Sequence, residues 1–440
     1  MSKVTIRIPQ KLYDTIYADL LRPHEFASER VGFTFSNTKI LDNGEIIICM
    51  NEYTPIGEGN YINDRSVGAM FDSLSITDAI GYGRKNRKGV FHTHLHELST
   101  GNPEFSSTDL EHLPPIVESA NRIAKGQIHG LLLLSQSTLN ALVWIPEEDS
   151  YRKVDQISIV GATLKLSFPS NPLKLQKLER YNRQSFLGKY SEAIFSRIRV
   201  GVVGLGGGGS HIVQQLAHLG IKHYALFDDD VVDESNLNRL VGGTIFDFEN
   251  GVSKFDVAKR TIESLHKVAS IRGGKIKWEL DTDAVDCCDI MIGCLDTLHV
   301  RRDLEAESRR YMIPIIDIGM GIDRPKNEVA SIYGQVHLSI PGECCLICRD
   351  FLNQDDLTKE AERYGEEGGR PQVVWSNGIL ASNAIGVLVD IITNWTMNDN
   401  KLQHLTYEGN YHTIKPSIFM KTYSDGCEHY PITSTGPVEF

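Results

Sequence analysis

Metal-binding residue types concentrate in the segment Val90–Glu97, at the end of an apolar stretch. His92 and His94 are separated by one residue there. Residues i and i+2 of a β-strand face the same side, so both imidazoles can reach one ion. Asp109, at the start of a predicted helix, offers a carboxylate as a third ligand. Two imidazoles and one carboxylate leave a coordination position for water, which a hydrolytic zinc ion requires.

Two further residues could assist hydrolysis at such a site. Glu29, just before a predicted strand, is a candidate to accept a proton from the attacking water. Ser106 could donate a hydrogen bond to the developing oxyanion. His96 is an additional imidazole, and we expect it to support a ligand or to lie at the surface instead of binding the ion.

The order of these residues resembles the JAB/JAMM (MPN) metalloprotease family, whose pattern is Glu-x-x-Gly, then His-x-His, then Ser-x-x-Asp. The resemblance covers roughly residues 1–160. Two departures affect the loop after the strand: Leu95 replaces the usual proline, and eleven residues separate His94 from Ser106. An alternative from another class is that this part of the chain only binds a ubiquitin-like protein. The resemblance implies zinc bound by His92, His94 and Asp109, Glu29 as acid/base and Ser106 as oxyanion donor.

A glycine cluster follows another predicted strand, Arg197–Val203, and opens a predicted helix that ends at Leu219. Glycines at this point let the backbone approach phosphate groups, and a helix N-terminus favours negative charge. Taken alone, such a cluster would indicate a Rossmann-like site for NAD or FAD. The predicted phosphate-binding loop is formed by Gly204, Gly206, Gly207 and Gly209.

The next strand ends in acidic residues, and the segment after it favours a triphosphate over a dinucleotide. Asp228 and Asp230 stand where an acidic side chain can bind a ribose hydroxyl. A dehydrogenase does not need the Ser-Asn-Leu-Asn-Arg segment that follows. Its Arg239, with Lys254 downstream, could hold the charge of a triphosphate. Asp296, after a later predicted strand, could bind Mg²⁺.

These motifs closely resemble the ThiF/MoeB-like adenylyltransferases, relatives of the ubiquitin-activating enzymes. The resemblance runs from about Arg180 to Cys427 and begins with Arg180–Gln184, which matches the family's Arg-Tyr-x-Arg-Gln motif. It implies a homodimer in which Arg183 reaches the nucleotide site of the other subunit. A nicotinamide oxidoreductase is the remaining alternative. The resemblance also implies ATP and Mg²⁺ held by the four glycines, by Asp228 at the ribose, by Asn236, Arg239 and Lys254 at the phosphates, and by Asp296 at the metal.

The segment Cys345-Leu-Ile-Cys348 matches the first of two Cys-x-x-Cys pairs that close a structural zinc site in many members of this family. Of the second pair only Cys427 remains, because a tyrosine stands at the last position. Either His429 or Cys344 could complete a tetrahedral zinc site. A degenerate clip without metal is the alternative.

Many relatives carry another cysteine in the crossover loop, where a thioester with the activated carrier forms. The corresponding position here is near Val374, and residues 349–375 contain no cysteine. We therefore expect no thioester at the usual place. Three remaining cysteines lie in or beside a predicted buried strand and are expected to pack in the core: Cys287, Cys288 and Cys294.

The length of 440 residues and the change of pattern along the chain predict an α/β protein of two domains. We expect a JAB/MPN α/β domain over 1–165, a linker over 166–176, and a Rossmann-like domain with a mostly parallel sheet over 177–440. A net charge of −12 argues against nucleic acid or an anionic membrane as partner. No secretory signal is visible, and the apolar run Gly378–Thr393 is too short to span a bilayer. We expect a buried helix there and a cytoplasmic protein.

The two resemblances together predict one enzyme with two activities. It would use ATP to adenylate the C-terminal glycine of a ubiquitin-like protein, and zinc to process the precursor or conjugates of that protein, as in bacterial conjugation systems. A conjugating enzyme would be a further partner. The alternative within the same chemistry is activation and processing of a sulfur-carrier protein in a sulfur-transfer pathway.

Overall fold

The computed structural model describes the chain except for residues 1, 24, 26, 65–67, 98, 100, 176–177, 324–328, 353–370, 398–403, 418–425 and 438–440. Its internal contacts divide the chain into two compact units. The first unit is Met1–Pro172 together with Arg310–Met312 and the segment that begins at Pro431. The second unit is Leu173–Arg309 and Ile313–Tyr430.

The first unit is an α/β fold around one mixed sheet of nine strands, in the order β11-β10-β1-β3-β2-β6-β7-β8-β9. Its strands are β1 Val4–Pro9, β2 Val31–Ile40, β3 Ile46–Pro55, β4 Tyr61–Ile62, β5 Met70–Phe71, β6 Gly89–Leu95, β7 Gly130–Leu134, β8 Leu139–Ile145, β9 Ser150–Lys153, β10 Gln156–Val160 and β11 Leu164–Ser167, with β4 and β5 pairing separately. Its helices are α1 Gln10–Leu20, α2 Ser73–Asn86, α3 Ser107–His112 and α4 Pro114–Ile123.

Strand β6 lies inside this sheet, antiparallel to β2 and parallel to β7, and all of its residues are buried. Its side chains alternate between two apolar clusters. Val90 packs with residues of α2 and α4, whereas Phe91 and Leu95 belong to the cluster that contains α1. This alternation places the polar positions His92 and His94 on the side of α2 and α4.

The boundary of the first unit differs from the predicted one at both ends. Strand β11 pairs with β10, so the strand continues into the first residues of the predicted linker, and Phe168 is also buried. The segment from Pro431 was expected in the second domain. Instead Asn37 Nδ2 donates to the Thr435 carbonyl (2.5 Å) and the Gly436 amide donates to the Arg310 carbonyl (2.8 Å). These pairings attach it to the first unit.

The second unit is a Rossmann-like α/β fold around a sheet in the order β14-β13-β12-β15-β16-β17-β18-β19. The strands are β12 Arg199–Val203, β13 His223–Phe227, β14 Ser270–Gly274, β15 Ile290–Gly293, β16 Ile315–Asp323, β17 Ser331–Ser339, β18 His404–Glu408 and β19 Thr413–Pro416. The helices are α5 Ser191–Phe195, α6 Gly207–Leu219, α7 Ile245–Glu249, α8 Lys254–Leu265, α9 Thr282–Asp286, α10 Leu298–Arg310 and α11 Val374–Thr393.

Five neighbouring strands of this sheet are parallel, in the order β14, β13, β12, β15 and β16. Strands β17, β18 and β19 extend the sheet beyond β16 and pair in antiparallel orientation. The sheet is therefore mixed, and only its Rossmann-like half matches the expectation of a mostly parallel sheet. In a parallel sheet the carboxyl ends of the strands meet at one edge, where ligands bind. The loops that follow β12, β13, β15 and β16 share that edge.

Helix α11 is long and apolar enough to cross a membrane by length and composition, because it begins at Val374, four residues before the predicted run. The helix is therefore longer than the predicted apolar run. Slightly more than half of the helix (56% of its most apolar window) is buried, and it packs against α6, β16 and β17. This burial is typical of a core helix.

Candidate nucleotide and metal sites

The predicted metal ligands of the first unit line a cleft of about 540 Å³ between β6 and the first turns of α2 and α4. The His92 and His94 side chains are buried, and their ring centroids lie 5.5 Å apart. No ring nitrogen of either histidine has a hydrogen-bond partner among the described residues. An unpartnered buried imidazole nitrogen is costly unless a metal or a proton donor satisfies it.

Asp109 closes the cleft from the first turn of α3. Its Oδ1 lies 3.5 Å from His94 Nε2, and its Oδ2 lies 3.4 Å from His96 Nε2. Burial raises the pKa of Asp109, but the nearby imidazoles of His94 and His96 outweigh it, so the net shift is downward. The carboxylate is therefore ionised at neutral pH and carries the charge that a cation site needs.

Ser106, the predicted oxyanion donor, is engaged by Asp109. It is the N-cap of α3, where its Oγ accepts from the Asp109 amide (3.1 Å) and donates to Asp109 Oδ2 (2.8 Å). The described residues that line the cleft include Thr108 and Asp109 but not Ser106. The serine is therefore a capping residue that orients the Asp109 carboxylate.

Glu29 lines the cleft, and His96 lies beside Asp109 next to it. Glu29 precedes β2, and its amide donates to the Gly68 carbonyl (2.8 Å). One donor atom each from Glu29, His94 and His96 lie within 4.8 Å of one another. The predicted set of His92, His94 and Asp109 is not among the groups of described residues that reach this closeness.

The chemistry of the donors fits zinc. Burial, followed by the charge of His94, lowers the pKa of His92 to about 3, so its ring is neutral and keeps a free lone pair. Hydrogen bonding to Asp109 instead raises the pKa of His96. Imidazole nitrogens and a carboxylate oxygen are common ligands of catalytic zinc. The orphaned nitrogens of His92 and His94 support a metal at this position.

In the second unit the glycine cluster forms the floor of a cavity of about 390 Å³. Gly204 has φ +85°, a left-handed conformation that favours glycine, and a Cβ there would lie 2.4 Å from the Cys294 carbonyl oxygen. A Cβ on Gly209 would lie 1.9 Å from the Gly204 carbonyl oxygen. The tight turn directs the N-terminus of α6 into the cavity, as a phosphate-binding loop requires.

Asp228 follows β13 and ties the glycine loop to the neighbouring strand end. Its Oδ2 accepts from the Leu205 amide (2.7 Å) and its Oδ1 accepts from the Asp230 amide (3.0 Å). Burial is the main cause of a raised pKa for Asp228. The carboxylate therefore lies at the cavity wall beside the loop, where the sequence predicted a ribose contact.

The predicted phosphate-binding side chains line the same cavity. Lys254 Nζ lies 2.5 Å from Asp230 Oδ2, and Arg239 donates to Asn238 Oδ1 (3.1 Å) and to the Ser235 carbonyl. Asn236 also lines the cavity, although its Oδ1 accepts from the Asp233 amide (3.2 Å) within a short turn. Asp296 lies at the opposite side, after β15. The structure thus brings all of these predicted residues to one edge of the sheet.

A buried ion pair at the same edge was missed by the sequence. Arg301 of α10 donates to the carboxylate of Asp317 on β16 and to the Leu295 carbonyl, and Arg301 lines the cavity. Burial raises the pKa of Asp317 to about 6, although Arg301 acts in the opposite direction. Gln372 and Asn377, near the start of α11, complete this side of the cavity. An aspartate inside the apolar run Ile315–Ile318 was the available signal for the pair.

Arg183 does not reach the cavity of its own chain. It lies in the 3₁₀ segment Glu179–Leu187, its side chain is exposed, and it is not among the described residues that line the cavity. Its neighbour Gln184 donates to the Leu219 carbonyl (3.1 Å), which anchors the segment at the end of α6. The exposed side chain of Arg183 is compatible with its predicted action on another subunit.

Four side chains at the far end of α10 form a compact metal-binding clip, which we define as Cys345, Cys348, Cys427 and His429. Cys348 Sγ lies 3.6 Å from Cys345 Sγ and 3.8 Å from Cys427 Sγ. His429 Nδ1 lies 3.7 Å from Cys345 Sγ and 3.3 Å from Cys348 Sγ. A tetrahedral zinc ion separates such donors by roughly 3.5–3.8 Å. Cys344 Sγ points instead to the Gly426 carbonyl, 3.5 Å away. Of the two predicted fourth ligands, the structure places His429 in the set.

Helix α10 stabilises the backbone around the clip through hydrogen bonds. Its fully buried Glu305 accepts from the Leu346 amide (3.0 Å), between the first two cysteines, and from Ser339 Oγ. Arg309, one turn later, donates to Ser339 Oγ (2.6 Å) and to the Glu343 carbonyl. The same helix carries Arg301 into the nucleotide cavity, so one rigid element positions both.

The chain belongs to the ThiF family. Residues 181–428, more than half of its length, match the model of that family. This range contains the glycine loop, the cavity residues after β13 and β15, and most of the clip.

Curated relatives match over part of their length. "Adenylyltransferase and sulfurtransferase UBA4" of Eremothecium gossypii is 29% identical over 34% of this chain and 33% of its own. "Molybdopterin-synthase adenylyltransferase" of Haemophilus influenzae is 29% identical over 31% of this chain and 58% of its own. "SAMP-activating enzyme E1" of Haloferax volcanii is 26% identical over 40% of this chain and 63% of its own. The chain thus spans between one third and just under two thirds of these relatives.

The solved structures that the chain matches include E. coli MccB with MccA-N7isoASN, and PaaA. The first is 18% identical, covers 59% of this chain and 76% of MccB, and has a TM-score of 0.48. The second is 20% identical, covers 57% of this chain and 86% of PaaA, and has a TM-score of 0.44.

Proposed function

We propose that the second unit uses ATP to adenylate the C-terminal carboxylate of a small glycine-ended carrier protein, and that this carrier delivers sulfur. Membership of the ThiF family carries the proposal. One of the relatives described above, "Adenylyltransferase and sulfurtransferase UBA4", combines adenylyl transfer with sulfur transfer in its name. Activation of a ubiquitin-like modifier is the second candidate, and the name of the SAMP-activating relative favours it.

The residues of this chain would act by positioning and by charge. Asp228 would hold the ribose, and the loop amides at the start of α6 would hold the phosphates. Arg239 and Lys254 would stabilise the charge that develops as a carboxylate oxygen of the carrier attacks the α-phosphorus. The bond to the bridging oxygen of the β-phosphate then breaks, and pyrophosphate leaves. Mg²⁺ near Asp296 would neutralise charge on the leaving pyrophosphate.

ATP–pyrophosphate exchange with a glycine-ended sulfur carrier tests this reaction. Exchange should require the carrier, and Lys254→Ala should slow it about 100-fold, the effect of removing one preorganised charge donor. Lys259→Ala is the matched control, because Lys259 lies on the same helix in an exposed pair with Glu263. Nucleotide binding without exchange for any glycine-ended carrier would contradict the assignment of a protein carboxylate as substrate.

We further infer that the first unit is a zinc peptidase that cuts after the carrier's terminal glycine. The orphaned nitrogens of His92 and His94 beside the ionised Asp109 carry this inference. Glu29 would hold the proton released by the attacking water and return it to the leaving amine. Zinc would supply polarisation of the water and of the scissile carbonyl.

A carrier precursor with residues beyond its terminal glycine tests the peptidase. The wild type should shorten the precursor, and Glu29→Gln should abolish shortening while the chain still binds zinc. Glu97→Gln is the control, because Glu97 is exposed and does not line the cleft. A chain that binds zinc and a ubiquitin-like protein but cuts no precursor or conjugate would indicate a binding module instead.

Arg183 leads to a separate proposal about assembly. As implied by the resemblance, we expect a homodimer in which the exposed Arg183 of one subunit completes the other cavity. Mixing Arg183→Ala chains with Lys254→Ala chains should restore about a quarter to a half of the exchange activity, since some mixed dimers contain one intact cavity. No complementation would place the action of Arg183 elsewhere.

A further inference from the structure

The first unit has one more potential ligand beside its cleft than hydrolysis needs. His96 directly follows β6 and keeps the pairing with β7, because its amide donates to the Leu134 carbonyl (3.0 Å). The two-residue period of the strand therefore continues through His92, His94 and His96, which lie on one face. The ring centroids of His94 and His96 are 5.0 Å apart.

We propose that the cleft has an outer metal position, ligated by His94, His96 and Glu29, in addition to the inner one with His92. The donor atoms of the outer set already lie within 4.8 Å of one another, whereas the inner set does not reach this closeness among the described residues. Zinc ligands at 2.0–2.2 Å are separated by roughly 3.3–3.6 Å, so an ion would draw the outer set together by at most about 1.5 Å. This inference rests on the proposed zinc site.

The position of Asp109 supports the outer site. Its two oxygens face His94 and His96, at 3.5 and 3.4 Å, so the carboxylate lies beside the outer pair. Exposure also differs along the strand: 22% of the His96 side chain is accessible, but only 2% of the His94 side chain. An ion from solution therefore meets His96 and Glu29 before it can reach His92.

The two positions exclude each other and have opposite consequences for hydrolysis. Both use His94, so one ion occupies one position at a time. In the outer position the Glu29 carboxylate binds the ion and cannot accept a proton from water. In the inner position Glu29 is released. The outer position is therefore a loading and resting site, and the metal becomes competent for hydrolysis when it moves to His92.

Cobalt substitution of the full chain tests the ligand directly. Each histidine bound to Co²⁺ gives a hyperfine-shifted, exchangeable ring N–H resonance in the proton NMR spectrum. We expect His96→Ala to remove the His96 resonance, to make a His92 resonance appear as the ion moves to the inner position, and to weaken Co²⁺ binding by at least about 10-fold. His96→Gln should not restore the resonance, although glutamine could still hydrogen-bond Asp109. Co²⁺ bound at the clip gives the same signals in every variant, so the clip does not affect the comparison.

His112→Ala is the matched control, since His112 lines the same cleft but lies outside both ligand sets. It should leave every resonance unchanged. If His96→Ala keeps all hyperfine-shifted ring resonances, His96 is not a ligand and the outer position does not exist. Circular dichroism confirms that each variant is folded. Peptide hydrolysis per bound metal should rise in His96→Ala; absence of hydrolysis in all variants would refute the peptidase without affecting the resonance count.

Discussion

We expect the buried pair of Arg301 and Asp317 to lower the free energy of unfolding of the second unit as the pH rises. The pKa of Asp317 is about 6 in the folded chain, because burial outweighs the attraction of Arg301. Its ordinary value is about 3.9. The folded state therefore binds the proton more tightly than the unfolded state. The stability contributed by the protonated carboxyl is complete below about pH 4 and is lost as the pH rises through 6.

The substitution Asp317→Asn isolates this effect, since asparagine resembles the protonated acid and does not titrate. From these pKa values, the free energy of unfolding of the wild type should fall by about 2 kcal/mol relative to that of the variant between pH 4 and pH 7. This outcome is consistent with buried ion pairs in general, whose desolvation can exceed their attraction.

Urea unfolding at several pH values, followed by tryptophan fluorescence, measures the difference. Three of the four tryptophans lie in the second unit: Trp278, Trp375 and Trp395. Asp323→Asn is the control, because Asp323 lies at the exposed end of the same strand. If Asp317→Asn instead loses stability relative to the wild type as the pH rises, attraction to Arg301 dominates and the reasoning is wrong.

Further predictions follow from close packing, from the clip and from the exposed arginine. Gly209→Ala should abolish ATP binding measured by calorimetry, because its Cβ would lie 1.9 Å from the Gly204 carbonyl oxygen; a bound nucleotide at wild-type affinity would contradict the packing argument. His429→Ala should abolish zinc binding at the clip and lower the melting temperature of the second unit, whereas Cys344→Ser should have neither effect. Plasma emission spectrometry measures the zinc content, and calorimetry measures the melting temperature. Arg183→Ala chains alone should lose exchange, because every cavity of their dimer lacks the partner's arginine; exchange at the wild-type rate would remove Arg183 from the reaction.

The predictable parts of both sites lie on strands with strong local patterns. The alternation around His92 and His94 and the glycine turn after β12 could be read from the sequence because strand period and turn conformation are local properties. Strand β14 was missed, because Ser-Ile-Arg-Gly-Gly offers neither an apolar run nor a β-branched series. The cavity wall after it, including Trp278, was missed for the same reason.

Features that depend on distant pairing could not be derived. Nothing near Asp317 in the sequence specifies Arg301, because the pair forms only when α10 packs beside β16. Proximity in the sequence made Cys344 as good a candidate as His429 for the clip. The fold decides for His429 by turning the Cys344 thiol toward the Gly426 carbonyl. Ser106 was assigned a chemical role from its family position, whereas locally it is a helix cap.

The strict alternation of strand β6 also limits how the first site can change during evolution. His92, His94 and His96 share one face only because one residue separates each pair. A single-residue insertion or deletion between two of them would move the later histidines to the opposite face, where Phe91 and Leu95 now pack in the core. Substitutions can remove these ligands one at a time, but a length change within the strand removes several at once. Homologous sequences should therefore align through this strand without gaps wherever the three histidines are retained.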